Sequence, residues 1–186
     1  FTTLLALNFM LVVGMLNQIA TVLSELGHTP QTVIAASMLF GVGQVSARAV
    51  EMVIGGRYDL LKGTLAVTAG YAAAVIVLAA FSPTPAAAIV FAVVFGMSNG
   101  LFSINRGALV LALFGSQGYG RMTGKVSVAQ NIAGAAAPVM LAAVIGAAGV
   151  MAGVVGALAL AVAGTIVMAA LFRHAAGHSS RPGDGA

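Results

Sequence analysis

A glutamine, an arginine and a glutamate stand at helical spacing in the stretch MLFGVGQVSARAVEM, Met38 to Met52. At about 100° per residue, Ser37, Gly41, Gln44, Arg48, Glu51 and Gly55 fall within roughly 80° of one another, one stripe on one helical face. Almost everything around the stripe is Val, Ala, Leu, Ile, Met or Phe. Arg48 and Glu51, three apart, can meet on that face. Two kinds of chemistry are open to it. A carboxyl whose pKa rises when desolvated and falls when wet or paired can carry a proton. In that case Glu51 titrates, Arg48 holds its charged form, and protonation frees Arg48 for an anionic solute. The plainer reading is an Arg48–Glu51 pair that only closes the end of a helix bundle.

Elements able to position such a stripe follow from composition. Hydrophobic residues make up 60% of the chain and charged ones 6%, where an ordinary soluble domain is about a quarter charged. That is too little charge to coat a water-soluble surface, so the expected class is an all-α membrane protein. A hydrocarbon core of about 30 Å takes roughly 20 helical residues. Six segments qualify, at about 3–23, 31–54, 63–81, 86–114, 122–145 and 151–172. Gly27 and Pro30, Gly55 and Gly56, and Pro83 and Pro85 break the early ones. Residues 1–172 thus form one transmembrane bundle, and 173–186 are expected to be a disordered tail. The chain begins at Phe1, already inside an apolar run, and reads as a fragment of a longer protein.

Lysines and arginines orient the spans. Arg48, Arg57 and Lys62 sit at the second connection, Arg106, Arg121 and Lys125 flank the fourth, and Arg173 and Arg181 follow the sixth segment. The connections near Gly27, Pro83 and Gly149 carry none. All basic residues fall on one side, assigned to the cytoplasm, so both visible ends lie inside a cytoplasmic membrane. The net charge of +4 is therefore a topology signal and not a nucleic-acid footprint. No cysteine is present, which excludes a disulfide framework and any thiolate site.

Polar groups sort among the spans. Segment one carries Asn8, Asn17 and Gln18; segment two Gln44; segment four Asn99; segment five Gln130 and Asn131. Segments three and six hold no amide or charge. Since a buried amide in hydrocarbon costs several kcal/mol unless partnered, segments one, two, four and five should line an interior cavity, with three and six packed outside. For each of these amides the alternative to solute contact is a hydrogen bond to a neighbouring helix. Phe95 and Phe102 read as bundle packing, and His28 as an external loop residue. Gly146, Gly149, Gly153, Gly156 and Gly164 read as a close-packing face, and Pro138 as a bend. No Gly-Lys-Ser/Thr phosphate loop, metal-ligand set or nucleophile constellation lies in a span, so neither an enzyme nor a cofactor is expected.

With these features the chain resembles the carboxy-terminal six-helix half of a major facilitator superfamily transporter, over nearly its whole length from Phe1 to about Phe172. The resemblance rests on six spans with both ends inside, on GVGQVSARAVEM, on GGRYDLLKG at Gly55 to Gly63, and on NGLFSINRG and FGSQGYGRMTGK at Asn99 to Gly107 and Phe114 to Lys125. The GGRYDLLKG connection is similar to a degenerate form of the superfamily's cytoplasmic loop, lacking its full run of charges. The resemblance implies a 3+3 inverted repeat and an amino-terminal six-helix half as partner, besides membrane lipid and a small-molecule solute. It further implies secondary active transport by alternating access, with Arg57, Asp59 and Arg106 at the cytoplasmic gate. A rival from another class is a non-transporting membrane module, a sensor or assembly subunit, whose polar face binds a partner helix.

Overall fold

The computed structural model describes residues 2–54 and 59–179. All regular structure among them is helical: α1 Thr2–Glu25, α2 Pro30–Ile54, α3 Leu60–Phe81, α4 Pro85–Ala112, α5 Gly115–Ala148 and α6 Val150–Ser179. Each of the six is long and apolar enough to cross a membrane, which defines the class as a multi-pass helical bundle of the membrane type.

Local chemistry sets the helix ends. Gly27, at φ 87°, closes α1. Its N–H bonds the Ser24 carbonyl at 3.1 Å and that of His28 reaches Leu23 at 3.1 Å, the paired bonds of a Schellman turn. Pro30 then opens α2 where its missing N–H costs nothing. Asp59 caps α3, its Oδ1 accepting from the backbone N–H of Leu61 at 2.9 Å and of Lys62 at 3.3 Å. Between α4 and α5 the expected loop is absent. The backbone stays helical from Pro85 to Ala148 except at Gly115, where φ 66° and ψ 176° break it, so residues 116–121 belong to α5. It also stays helical through Pro138. α6 likewise continues past Phe172 to Ser179, so the boundary expected there falls inside a helix. The remainder of the tail, Ser180–Ala186, lies outside the described residues.

Consecutive helices reverse direction, and two non-consecutive pairs run parallel. α2 lies along α4, where Phe40 meets Gly96 and Gln44 meets Gly100, backbone to backbone. A Cβ at Gly43 would stand 2.8 Å from the Val93 carbonyl oxygen. α1 lies along α5 in the same way: a Cβ on Gly134 would be 2.6 Å from the Phe9 ring, and one on Gly14 would be 3.6 Å from Ala137. Two further contacts seat a polar side chain on a glycine, Ser98 of α4 on Gly70 of α3 and Asn8 of α1 on Gly164 of α6. α3 and α6 also pack on each other.

The aromatic core is built around α4. Phe95 stacks edge-on against Tyr71 at 4.9 Å between centroids and tilts against Phe91 at 5.2 Å and Phe40 at 6.1 Å. Phe95 and Phe102 are both buried, as bundle packing requires. Of the glycines expected to pack α6, Gly153 and Gly164 meet neighbours closely, while Gly146 and Gly156 face open space.

A Cβ at Gly96 or Gly43 would press on a backbone carbonyl, and overpacking of this kind costs about 1–3 kcal/mol. Gly96→Ala and Gly43→Ala should therefore lower the thermal midpoint in detergent, whereas Gly156→Ala, with nothing in reach, should leave it unchanged or raise it slightly.

Candidate functional site

The stripe on α2 divides in three dimensions. Gln44 is half-buried beside α4 and Arg48 is exposed, while Glu51 is half-buried and lines a cleft of about 650 Å³ between α2, α3 and α4. Lys62, Ser98 and Asn105 line the same cleft. The ion pair seen among the described residues joins Asp59 and Lys62 at 4.0 Å, so the expected Arg48–Glu51 pair is not formed. The physical reason is angular. Positions 48 and 51 lie about 60° apart around the helix, enough for one to face outward and the other the groove that the start of α3 creates. Asp59 has a helix-capping role, and Arg57 lies outside the described residues.

The amides divide as well. Asn8 is sealed between α1 and α6, its Nδ2 donating to the Leu4 carbonyl at 2.9 Å. Asn99 is half-buried and turned toward α3, its Oδ1 accepting from the Tyr71 hydroxyl at 3.5 Å. Gln18 is half-buried, its Nε2 donating to the Pro138 carbonyl at 3.4 Å. Asn17 and Asn131 are exposed. Thus Asn17, Arg48, Asn131 and in part Gln44 occupy open faces of α1, α2 and α5, with Asn17 Nδ2 donating back to the Val13 carbonyl at 2.8 Å, while Asn8, Gln18 and Asn99 are turned into the bundle. The open faces are not purely polar: Val42, Val45, Val128 and Ile132 are exposed on them too.

A second polar cavity, of about 110 Å³, sits between α4 and α5. Arg106, Ser103, Tyr119, Thr123, Ser127 and Gln130 line it. Gln130 is buried with its Oε1 accepting from Arg106 Nη1 at 3.1 Å and its Nε2 donating to the Leu5 carbonyl at 3.4 Å. The backbone of α1 thereby fixes which end of the amide faces the guanidinium. Sequence reasoning took Arg106 and Gln130 separately and did not join them. The signal that could have joined them is the hydroxyl spacing on α5, where Thr123, Ser127 and Gln130 share a face that meets Ser103 and Arg106 once α5 folds back on α4.

At the opposite end of the bundle the α1–α2 turn meets the α3–α4 turn. His28, placed in an external loop by sequence, is in that turn but buried. Its Nε2 lies 3.2 Å from Ser82 Oγ, and that hydroxyl donates to the Leu78 carbonyl at 2.7 Å. With its proton committed to Leu78, Ser82 must accept from His28, so the neutral ring carries its proton on Nε2. Nδ1 is then a buried atom with no hydrogen-bond partner.

No family model matches the chain, and neither a curated protein nor a solved structure matches it. Its class is therefore stated from the structure alone: an all-helical bundle of six helices able to span a membrane.

Burial pushes the His28 imidazole below its ordinary value of 6.5. The unfolded chain then takes up a proton before the folded one does. Stability contributed by this contact is present above about pH 6.5 and lost as pH falls toward the lower folded value. Thermal unfolding should have a lower midpoint at about pH 5 than at about pH 7.5, and His28→Gln should remove much of that difference.

Proposed function

We propose that the chain is the carboxy-terminal six-helix half of a secondary active transporter of the major facilitator type, moving a small solute across a cytoplasmic membrane by alternating access. The observation that carries the reading is an exchange relation among the helix contacts. Swapping α1, α2 and α3 for α4, α5 and α6 turns the parallel α2–α4 contact into the parallel α5–α1 contact, each closed by glycines at its centre. The same swap turns the Ser98-on-Gly70 contact of α4 and α3 into the Asn8-on-Gly164 contact of α1 and α6. A 3+3 inverted repeat generates such pairs, and transporters built from inverted repeats rock one bundle against another around a central site.

In this reading the second half covers the open faces of α2 and α5, and Asn17, Gln44, Arg48 and Asn131 look into the chamber between the halves. The end of the bundle that bears Lys62, Arg106, Arg121, Lys125 and Arg173 faces the cytoplasm. Glu51, in the cleft at that end, is the proton-coupling candidate. Lys62, which shares the cleft, takes the part first assigned to Arg48.

Because the chain has no cysteine, accessibility can be read one position at a time. Arg48→Cys and Asn131→Cys should react with a membrane-impermeant maleimide, while Asn8→Cys should be protected. Protection of Arg48→Cys in every condition would instead favour a non-transporting module whose α2 face is sealed against a partner helix.

Glu51→Gln should abolish the dependence of solute flux on an imposed pH gradient in reconstituted vesicles containing the whole transporter. Undiminished coupling would end the proton assignment.

A further inference from the structure

The α4–α5 cavity holds a cation whose needs the protein does not meet. A guanidinium carries five N–H donors and no acceptor. Among the described residues Arg106 donates to Gln130 Oε1 alone. The walls add hydroxyls from Ser103, Tyr119, Thr123 and Ser127. That of Ser103 is committed to the Gly100 carbonyl at 2.7 Å, whereas Thr123 Oγ1 is buried with no hydrogen-bond partner. No described carboxylate lines the cavity: Glu51 belongs to a different cleft and Asp59 caps α3. A half-buried arginine surrounded by neutral donors, and held in place by a buried glutamine, is short of negative oxygen.

We infer that this cavity is a binding site for a small oxyanion, a carboxylate or a phosphate group, seated on Arg106 with Thr123 as a second donor. Charge selects an anion, because the one ionic group in the lining is positive. Shape selects a planar or tetrahedral oxygen pair, since the guanidinium fork matches carboxylate and phosphate in bidentate fashion. Size selects a small one: about 110 Å³ is the space of roughly three or four waters at about 30 Å³ each. The bound anion would place one oxygen against the free edge of the guanidinium and accept a hydrogen bond from Thr123 Oγ1, supplying that hydroxyl with the partner it lacks. The inference stands on the cavity alone and holds whether or not the chain transports.

The test is equilibrium binding to the purified full chain in phosphatidylcholine nanodiscs, titrating acetate and inorganic phosphate at constant ionic strength, with acetamide as the neutral shape control. Saturable binding of acetate or phosphate, without binding of acetamide, is expected. Arg106→Gln should weaken it roughly tenfold or more, as loss of a charged hydrogen bond does, and Thr123→Val about threefold to tenfold. Arg173→Gln, an exposed arginine on α6, should leave it unchanged. Should Arg106→Gln fail to fold, Thr123→Val carries the comparison. A parallel series with phosphatidylglycerol separates the sources of the oxyanion. Stabilisation by that lipid alone, lost in Thr123→Val, would show the same site filled by a headgroup phosphate rather than a free anion. Absence of any anion effect, or effects that Arg106→Gln and Thr123→Val leave intact, would overturn the inference. Vesicle flux is a separate readout, so loss of transport with binding preserved would refute the proposed function and not this site.

Discussion

The close approach of α2 and α4 backbones at Gly43, Gly96 and Gly100 is the contact on which the rest of the bundle depends. In a membrane, lipid chains are as apolar as leucine, so burying leucine against leucine contributes little to helix association. What remains is contact at short range, and the α4 sequence GMSNG supplies two glycines one turn apart for it. With no side chain between them, the two helices meet through carbonyl oxygens and Cα atoms. Phe95 and Tyr71 can then close edge to face over the same region, and α3 follows α4 through Gly70 and Ser98. The α1–α5 contact through Gly14 and Gly134 plays the corresponding part on the other side. Two parallel crossings, tied together by α3 and α6, account for the architecture.

Polar side chains in this bundle fall into two energetic situations. Asn8 donates within its own helix, and Asn99 and Gln18 bond across to α3 and α5. The two bonds between helices contribute about 1 kcal/mol each, while Asn8 Oδ1 is buried with no hydrogen-bond partner. Arg48 and Asn131 are exposed and need water, or a partner surface carrying polar groups, while the exposed Asn17 donates to the Val13 carbonyl at 2.8 Å. A membrane helix tolerates an exposed arginine poorly at mid-depth. Arg48 sits close to the end of α2, where a long side chain can also extend toward the interface. The open faces of α1, α2 and α5 thus mix valine with arginine and asparagine.

Much of this was legible in the sequence because hydropathy and charge act over whole segments. Six spans and the gathering of basic residues at one end follow from averages over about 20 residues, and small local errors do not disturb them. The packing of Phe95 was legible for the same reason: one physical requirement decided it. The stripe on α2 was legible only in part. A helical wheel places Gln44, Arg48 and Glu51 on one face, but it contains no neighbours, and the start of α3 draws Glu51 into a separate cleft. The glycine register of α2 and α4 is not legible in the sequence, where the longer glycine series around Gly153 stands out instead. Only the partner backbone shows which glycines matter. The α4–α5 connection misled because FGSQGYGRMTGK has the composition of a loop, yet glycines other than Gly115 keep helical dihedrals there.

Arg106 shows how these situations combine. Near the end of α4 it is half-buried and reaches no carboxylate among the described residues, and partial desolvation of an unpaired cation is costly. Gln130 answers part of that cost with a neutral oxygen, and the Leu5 carbonyl keeps the amide from turning its donor end inward. The three groups belong to α4, α5 and α1, so the hydrogen-bond chain spans the helix break at Gly115 and joins both sides of it to the first helix. A ligand seated on the free edge of Arg106 would share the guanidinium with Gln130 and add a tie to Thr123 on α5. Binding at this cavity would thus tie α4 and α5 together on either side of the break at Gly115.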